Sequence, residues 1–591
     1  MKTIQERMNE EMQAAFQACG YDASRVRVVV SNRPDLCEYQ CNGAMACAKQ
    51  AKKKPLDIAA EVGEKLKESA LFSEAAVCPP GFINLKLRPE ALAETLKEME
   101  GAEKYGIRKE EGQAPKKVLV DYGGANVAKP LHVGHLRSAI IGEALKQMAK
   151  FFGCSVIGDV HLGDWGLQMG LIIEELRLRK PELPYFDEGF TGSFPEEAPF
   201  TIGELEEIYP TASKRSKEDK DFAAKAHEAT VKLQSGYPPF IALWKHILRI
   251  SVADLAKNYD ALNVHFELWK GESDVQPYIP GLIKDLADRG IAYESEGALV
   301  VDIAEPGDSR EFPPCIIRKS DGAALYATSD LATLVEREKL YSPDSYIYVA
   351  DKRQELHYTQ FFRVARKAGI VPPEHSLTYI GFGTMNGKDG KPFKTRDGGV
   401  MRLETLIKEI REAVHRRISE NKEIPEEEAM ETSRIVALAA LKYGDLSNQA
   451  SKDYVFDIDR FASFEGNTGP YILYTAVRIK SILKKYAAAG GKEVGAADLL
   501  PAEVPQEKAL CLTLASYAEN VEGAYRELAP HRVCQYMYSV AEAFNSFYHE
   551  VRILAEEDEA KKRSYLALIR ITGGILQQCM EMLGMEIPER M

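Results

Sequence analysis

Val118-Leu-Val-Asp-Tyr-Gly123, followed by Asn126-Val-Ala-Lys-Pro-Leu-His132-Val-Gly134-His135, decides how this chain folds. The first run is a short apolar segment closed by glycine, the pattern of a buried parallel strand. A turn containing Gly and Asn follows, then Pro130, then a helical pattern from about Leu136 to Phe152. SVIGDVHLGD (Ser155–Asp164) reads as a second strand. Strand, glycine turn, helix, strand is the opening of a doubly wound nucleotide-binding sheet. The expected fold class is therefore α/β and multidomain. It combines a parallel Rossmann-like sheet with a helical insertion, an N-terminal α+β domain and a C-terminal all-α bundle.

Working outward, residues 1–112 read as the small α+β unit, with helical patterns flanking the strand-like runs Val26–Val30 and Ile83–Leu87. Glu111–Lys117 reads as a linker. The sheet domain is expected over 113–402, interrupted over about 182–267 by a charged, Pro-containing, mostly helical insertion. Strand signals return at Ala298–Ile303, Tyr346–Asp351 and Leu377–Gly383. From about Leu403 helical patterns dominate, as a connecting segment (403–456) and then a helical domain (457–591). A chain of 591 residues exceeds one hydrophobic core, and ~100–200 residues per domain sets a prior of several.

The net charge of −13 argues against a chain that coats nucleic acid non-specifically, and leaves room for local basic patches. Ten scattered cysteines do not make a disulfide framework. Cys37, Cys41 and Cys47 cluster, but they form no CxxC pair and have no nearby His. Three buried thiols in an N-terminal helix are expected, with no structural metal. The N-terminus mixes acids and bases as an amphipathic helix does, and no run approaches the ~20 apolar residues of a membrane span. The expected location is the cytoplasm.

Two segments carry chemistry. In His132-Val-Gly134-His135, two imidazoles bracket a glycine at the mouth of a helix. Gly134 leaves room for close approach of a nucleotide. The helix N-terminus offers N–H groups to phosphate, and the imidazoles donate as charge builds at the α-phosphorus. The second segment, Gly387–Gly399, gathers Lys388, Lys391, Lys394 and Arg396 in a loop. A cationic loop can close over a triphosphate; without the first segment it would read as a solvated basic hairpin.

Together the two segments resemble the paired motifs of class I aminoacyl-tRNA synthetases, HIGH as His132-Val-Gly134-His135 and KMSKS as Lys391-Pro-Phe-Lys394-Thr395. Within that class the chain resembles the arginyl-tRNA synthetase family. The resemblance rests on NVAKPLHVGHLRSAIIGEAL with HLGDWGLQ (His161–Gln168), QCNGAMACAK (Gln40–Lys49), ALYATSDLA (Ala324–Ala332), RQELHYTQFF (Arg353–Phe362), FEGNTGPYILYTAVR (Phe464–Arg478) and the terminal PERM. It departs from the family's usual Ser-x-Pro at Gly123-Gly124-Ala125, small residues that suit a tight turn.

The resemblance implies activation of L-arginine with Mg-ATP and transfer to tRNA(Arg), by a monomer that needs tRNA before it activates the amino acid. It implies ATP contacts from His132, Gly134, His135, Lys391 and Lys394, with His132, His135 and Lys394 catalytic. It implies an arginine pocket of Asp121, Asn126, Tyr326, Asp330 and Gln354. On the residues alone, an Asp suits a planar guanidinium, whereas Tyr326 reads more readily as core. Tyr471, Tyr474 and Arg478 share a helix face; this pattern suits stacking on unpaired bases and equally a packed helix edge. The resemblance makes Tyr471, Tyr474, Tyr548 and Met591 tRNA contacts and puts Lys52, Lys53 and Lys54 near the outer corner of the tRNA. Rival readings are a small nucleotidyltransferase with the same HxGH element and a non-catalytic tRNA-binding relative.

Overall fold

The computed structural model describes residues 1–108, 114–320, 322–391, 401–420 and 424–591. They form two compact units. One is Met1–Glu111, Ser463–Met582 and Glu586–Met591; the other is Gly112–Ala462 with Leu583–Met585.

The first unit opens with the helix Ile4–Ala18. Its Thr3 hydroxyl accepts from the Glu6 amide (3.2 Å), and the Glu6 carboxylate accepts from the Thr3 amide (3.0 Å). This reciprocal cap satisfies two N–H groups that a helix start leaves open. Met8, Met12 and Phe16 form its buried stripe. An antiparallel sheet follows in the order Val28–Val30, Tyr39–Cys41, Phe82–Leu87, Phe72–Cys78. The expectation of three thiols in one helix is corrected here: only Cys47 is helical, in Gly43–Ala51, while Cys41 ends a strand and Cys37 lies in the turn before it. Cys37 donates to Ser31 Oγ, Cys41 accepts from the Gly43 amide and Cys47 donates to the Asp22 carbonyl, so each thiol has its own partner.

The rest of this unit is helical: Gly469–Ala488, Pro505–Ala515, Tyr517–Arg526, Pro530–Glu550 and Glu559–Met582. The helices hold the N-terminal residues directly. Arg570 Nε donates to Glu100 Oε1 (2.9 Å), the Gln5 amide donates to Glu519 Oε1 (3.1 Å), and Lys508 pairs with Glu38.

The second unit is built on a four-stranded parallel sheet in the order Ser376–Phe382, Ser345–Asp351, Lys117–Asp121, Ser155–Asp159. The first of these strands in sequence is central. The chain leaves it through the helix Val133–Phe151 to Ser155–Asp159 on one side, and later returns to Ser345–Asp351 on the other. That reversal makes a topological switch point, where open α/β sheets take their ligands beyond the carboxyl ends of the strands. Ser138 pins the helix there: its hydroxyl accepts from the Gly123 amide (2.9 Å) and donates to the Val349 carbonyl (2.8 Å).

The expected helical insertion appears as Ile202–Glu218, Lys220–Gln234 and Pro238–Ala261. Of the three later strand signals, two join the parallel sheet. The third, Ala298–Val301, belongs to a separate antiparallel sheet with Tyr293–Ser295 and Cys315–Arg318. The reason is local. Glu296 (φ 50°) and Gly297 (φ 80°) form a two-residue hairpin turn with both residues left-handed, which fixes antiparallel pairing. Among the described residues no helix is long and apolar enough to cross a membrane.

Candidate active site

The His132-Val-Gly134-His135 segment caps the helix Val133–Phe151. His132 Nδ1 accepts from the Gly134 amide (3.0 Å), and His135 Nδ1 accepts from the His132 amide (3.2 Å). Because both Nδ1 atoms accept, the remaining ring proton of each neutral imidazole sits on Nε2. Burial, with Lys129 nearby, holds the His132 pKa below its ordinary value; burial and His132 push His135 down to about 3. Near neutral pH the pair is therefore two uncharged Nε2–H donors, rings 4.0 Å apart, at a helix N-terminus. A Cβ on Gly134 would stand 2.7 Å from His132 Cε1 and 2.8 Å from Nδ1. The glycine makes room for the first imidazole of its own motif as well as for any nucleotide.

The turn before this motif explains the two glycines that depart from the usual family pattern. Gly123 (φ 97°) and Gly124 (φ 61°) both lie in the left-handed region, which side chains disfavour. Asn126 then pairs as a parallel bridge with Gly163, the Val127 amide donating to the Gly163 carbonyl (3.2 Å). A Cβ on Gly163 would collide with the Asn126 side-chain oxygen, so Gly163 leaves the space that side chain occupies. Gln168 Nε2 donates to the carbonyls of Val127 (3.2 Å) and Gly163 (3.1 Å), closing the loop.

The helix Tyr326–Leu340 supplies one wall of the crevice. Tyr326 opens it and is 74% exposed, which excludes the core reading of that ring. Asp330 is one turn later, and its Oδ2 is 2.5 Å from His357 Nε2. Gln354 is exposed in the short turn Lys352–Gln354, directly after the strand Ser345–Asp351. Asp121 ends the central strand, but its Oδ2 is already 2.6 Å from Arg337 Nη2. The same nitrogen is 2.6 Å from Asp159 Oδ2, and Arg337 Nη1 donates to the Tyr348 hydroxyl (3.0 Å).

His161 Nδ1 stands 3.7 Å from Asp159 Oδ2. Burial opposes its charge, but Asp159 overrides burial and raises its pKa to about 9. Burial raises Asp164, and it raises Glu272 to about 7, with Asp164 and Asp330 adding to the effect on Glu272. Asp121, Asp159, Asp164 and Glu272 thus gather around Arg337 and His161, while Asp330 faces His357. An excess of carboxyl groups in a partly buried crevice suits a cationic ligand.

The basic loop is anchored at both ends. In its first residues, the Gly387 amide donates to the Lys391 carbonyl (2.8 Å) and Lys388 Nζ pairs with Asp457 Oδ2 (3.0 Å). After it, the Val133 amide donates to the Met401 carbonyl (3.1 Å) and the Leu403 amide donates to the Leu131 carbonyl (3.0 Å). The chain emerging from the loop is therefore stitched to the His132 turn. Lys391 is exposed; Lys394, with Thr395 and Arg396, lies outside the described residues.

In the other unit, Tyr471 and Tyr474 sit on the helix Gly469–Ala488. The Tyr471 hydroxyl accepts from Asn545 Nδ2 (2.8 Å), and Asn545 Oδ1 accepts from Arg478 Nη1 (2.8 Å). The Arg478 guanidinium lies 4.7 Å from the Tyr474 ring centre and 5.1 Å from that of Tyr548. This is an aromatic and cationic surface, with Tyr474 exposed. Met591 is half-buried in the same unit and takes no part in these bonds. Lys53 is paired with Glu61 and with the Tyr21 hydroxyl, and Lys52 ends the helix Gly43–Ala51 in a left-handed conformation.

Comparison with known proteins divides the chain among three families. Residues 2–87 match the arginyl tRNA synthetase N terminal domain, 100–458 match the tRNA synthetases class I (R) catalytic domain, and 472–591 match the DALR anticodon binding domain. The chain belongs to the arginyl-tRNA synthetase family. An Arginine--tRNA ligase of Agathobacter rectalis is 57% identical over 599 residues, covering 100% of both chains. One of Alkaliphilus oremlandii is 52% identical over 591 residues, again covering 100% of both. The crystal structure of arginyl-tRNA synthetase from Plasmodium falciparum superposes with a TM-score of 0.82 at 26% identity, covering 100% of both chains.

Within this synthetase framework, sequence reasoning passed over residues that hold the site together. Arg137, two positions after His135, is buried; it pairs with Asp445 (2.8 Å) and donates to the carbonyls of Gly383 (2.8 Å) and Lys452 (2.9 Å). It therefore joins the helix of the His motif to the strand end that leads into the basic loop. Asp164 accepts from the Ser273 amide (3.0 Å) and hydroxyl (2.6 Å). His357 and Arg337 were likewise not singled out. No local signal marks the two arginines: Arg337 stands between Glu336 and Glu338 in its helix, and the partners of Arg337 and Arg137 are distant in sequence.

Proposed function

We propose that the protein is an arginine–tRNA ligase. The arginine carboxylate attacks the α-phosphorus of ATP in line, forming arginyl-adenylate and releasing pyrophosphate. A hydroxyl of the terminal adenosine of tRNA(Arg) then attacks the adenylate carbonyl, forming the ester and releasing AMP. Magnesium enters with ATP and neutralises phosphate charge. The Nε2–H groups of His132 and His135 donate to phosphate oxygens as charge develops, the kind of pre-aimed donation that lowers such barriers most. Gly134 keeps the approach open, and Lys391 and Lys394 meet the departing pyrophosphate.

The observation that carries the substrate assignment is the carboxyl-rich crevice at the switch point, with Asp330 one turn below exposed Tyr326. Asp330 takes the guanidinium, Tyr326 and Gln354 flank it, and Asp121 and Asn126 meet the α-amino and carboxylate end. Tyr471, Tyr474, Tyr548 and Met591 contact the anticodon stem-loop, and the N-terminal α+β domain (residues 1–112) the outer corner of the tRNA. The sheet domain over 113–402 carries the chemistry, and 403–456 connects it to the helical domain over 457–591. The protein acts as a monomer in the cytoplasm.

The test is exchange of labelled pyrophosphate into ATP with each of the twenty amino acids, with and without total tRNA. Exchange with arginine alone, and only with tRNA present, is expected. Exchange with another amino acid would overturn the pocket assignment, and none from folded protein would favour a non-catalytic tRNA-binding relative.

A further inference from the structure

The helix Tyr326–Leu340 carries Tyr326, Asp330, Thr333 and Arg337 at spacings of four, three and four residues, which places all four on one face. The first two sit at the mouth of the crevice. Arg337 is two turns deeper, ~10 Å along the axis, and its side chain is 1% exposed. Its three partners come from three neighbouring strands in a single row of the sheet: Tyr348 is paired with Asp121, and Asp121 with Asp159. One guanidinium therefore fastens the helix that bears Asp330 to the strand end that bears Asp121.

Stability alone does not account for such a group. Desolvating an arginine and two carboxylates offsets most of what their attraction returns, and well-packed apolar side chains often serve as well. What the planar fork adds is geometry, because a guanidinium holds several acceptors at fixed angles where an ammonium is a point charge. We propose that Arg337 is a positioning residue that sets the length of the amino-acid pocket. By tying the Asp330 helix to Asp121 it fixes the separation between the carboxylate that takes the substrate guanidinium and the one that meets its α-amino end. This rests on the arginine reading above; it adds that discrimination by chain length is built beneath the pocket, by a residue that need not touch substrate.

The experiment compares pyrophosphate exchange for arginine, for homoarginine (one methylene longer) and for the analogue one methylene shorter, all with tRNA present. Wild type is expected to prefer arginine by roughly 10–200-fold, the usual worth of one methylene. In Arg337→Lys the preference over at least one homologue should close by about tenfold, with KM for arginine raised more than kcat is lowered. Equal losses for all three substrates, with the preference unchanged, would make Arg337 a structural staple only and overturn the proposal. Should Arg337→Lys fail to fold, Tyr348→Phe removes one of the three bonds at constant shape. A shift of about threefold in the preference is expected there, and an unchanged preference overturns the proposal equally. Failure of the arginine reading would look different, because wild type itself would not exchange with arginine.

Discussion

Replacing Asp330 by Asn keeps the shape of the side chain and removes its charge. The Asp330 side chain is 30% exposed, so the carboxylate sits between surface and interior. Two unit charges 4 Å apart attract by about 4 kcal/mol at the effective dielectric of a protein surface. Discounting for the exposed third leaves ~2–3 kcal/mol to lose, which at 1.4 kcal/mol per decade is roughly a 30–150-fold fall in kcat/KM for arginine. His357, 2.5 Å from Oδ2, loses the same carboxylate, but an amide oxygen still accepts from it. Pyrophosphate exchange at saturating tRNA measures the fall, and citrulline, the neutral isostere of arginine, supplies the control. Arginine should lose its advantage over citrulline by about the same factor. A fall of less than about fivefold, or a loss shared equally by citrulline, would refute the assignment of Asp330 to the guanidinium.

Gly134→Ala should cost exchange activity ~100-fold or more, the scale of one lost oxyanion donor, because the new methyl displaces the His132 ring. Thermal melting should change little by comparison, since only a helix cap worth ~1 kcal/mol is disturbed. Arg478→Ala should raise KM for tRNA about 10–100-fold, the worth of one stacked base, and leave kcat at saturating tRNA nearly unchanged; a kcat effect with constant KM would argue against this face as an RNA surface. Stability should fall away on both sides of neutrality. His161, raised to about 9, stabilises fully below its unfolded pKa near 6.5, and that contribution is lost as pH climbs towards 9. His135, depressed to about 3, stabilises above pH 6.5, and that contribution is lost as pH falls towards 3. Denaturant melts across this range should show His161→Gln flattening the alkaline side alone and His135→Gln the acid side alone.

Much of this was legible in sequence because period and punctuation are local. Val118–Val120 could be read as a buried strand from apolar continuity, and the helix after His132 from its capping position. The structure begins that helix at Val133, three residues before the periodic pattern does, because His132 itself is the cap and few sequence rules weigh histidine in that role. Ala298–Val301 was legible as a strand but not as a member of a separate sheet, since pairing partners are not encoded in a four-residue apolar run. Tyr326 illustrates the converse: an aromatic ring in an apolar context reads as core, and only its place at a helix start beside a crevice leaves it exposed. Arg337 and Arg137 were illegible for a different reason. Their partners lie far away in sequence, at Asp121, Asp159 and Asp445, and no local pattern announces a long-range charge pair.

The unit formed by Met1–Glu111 and Ser463–Met582 is interrupted in sequence by the whole sheet-bearing unit. On the ribosome this has a cost in time. At ~5–20 residues per second, the interval between making Glu111 and making Ser463 is roughly 20–70 s. Throughout it Glu100, Glu38 and Gln5 wait without Arg570, Lys508 and Glu519. The sheet-bearing unit, by contrast, is made almost without interruption and can close first. The nascent chain thus carries an unfinished RNA-binding half for the better part of a minute, and chaperone dependence of this protein should concentrate in its first hundred residues.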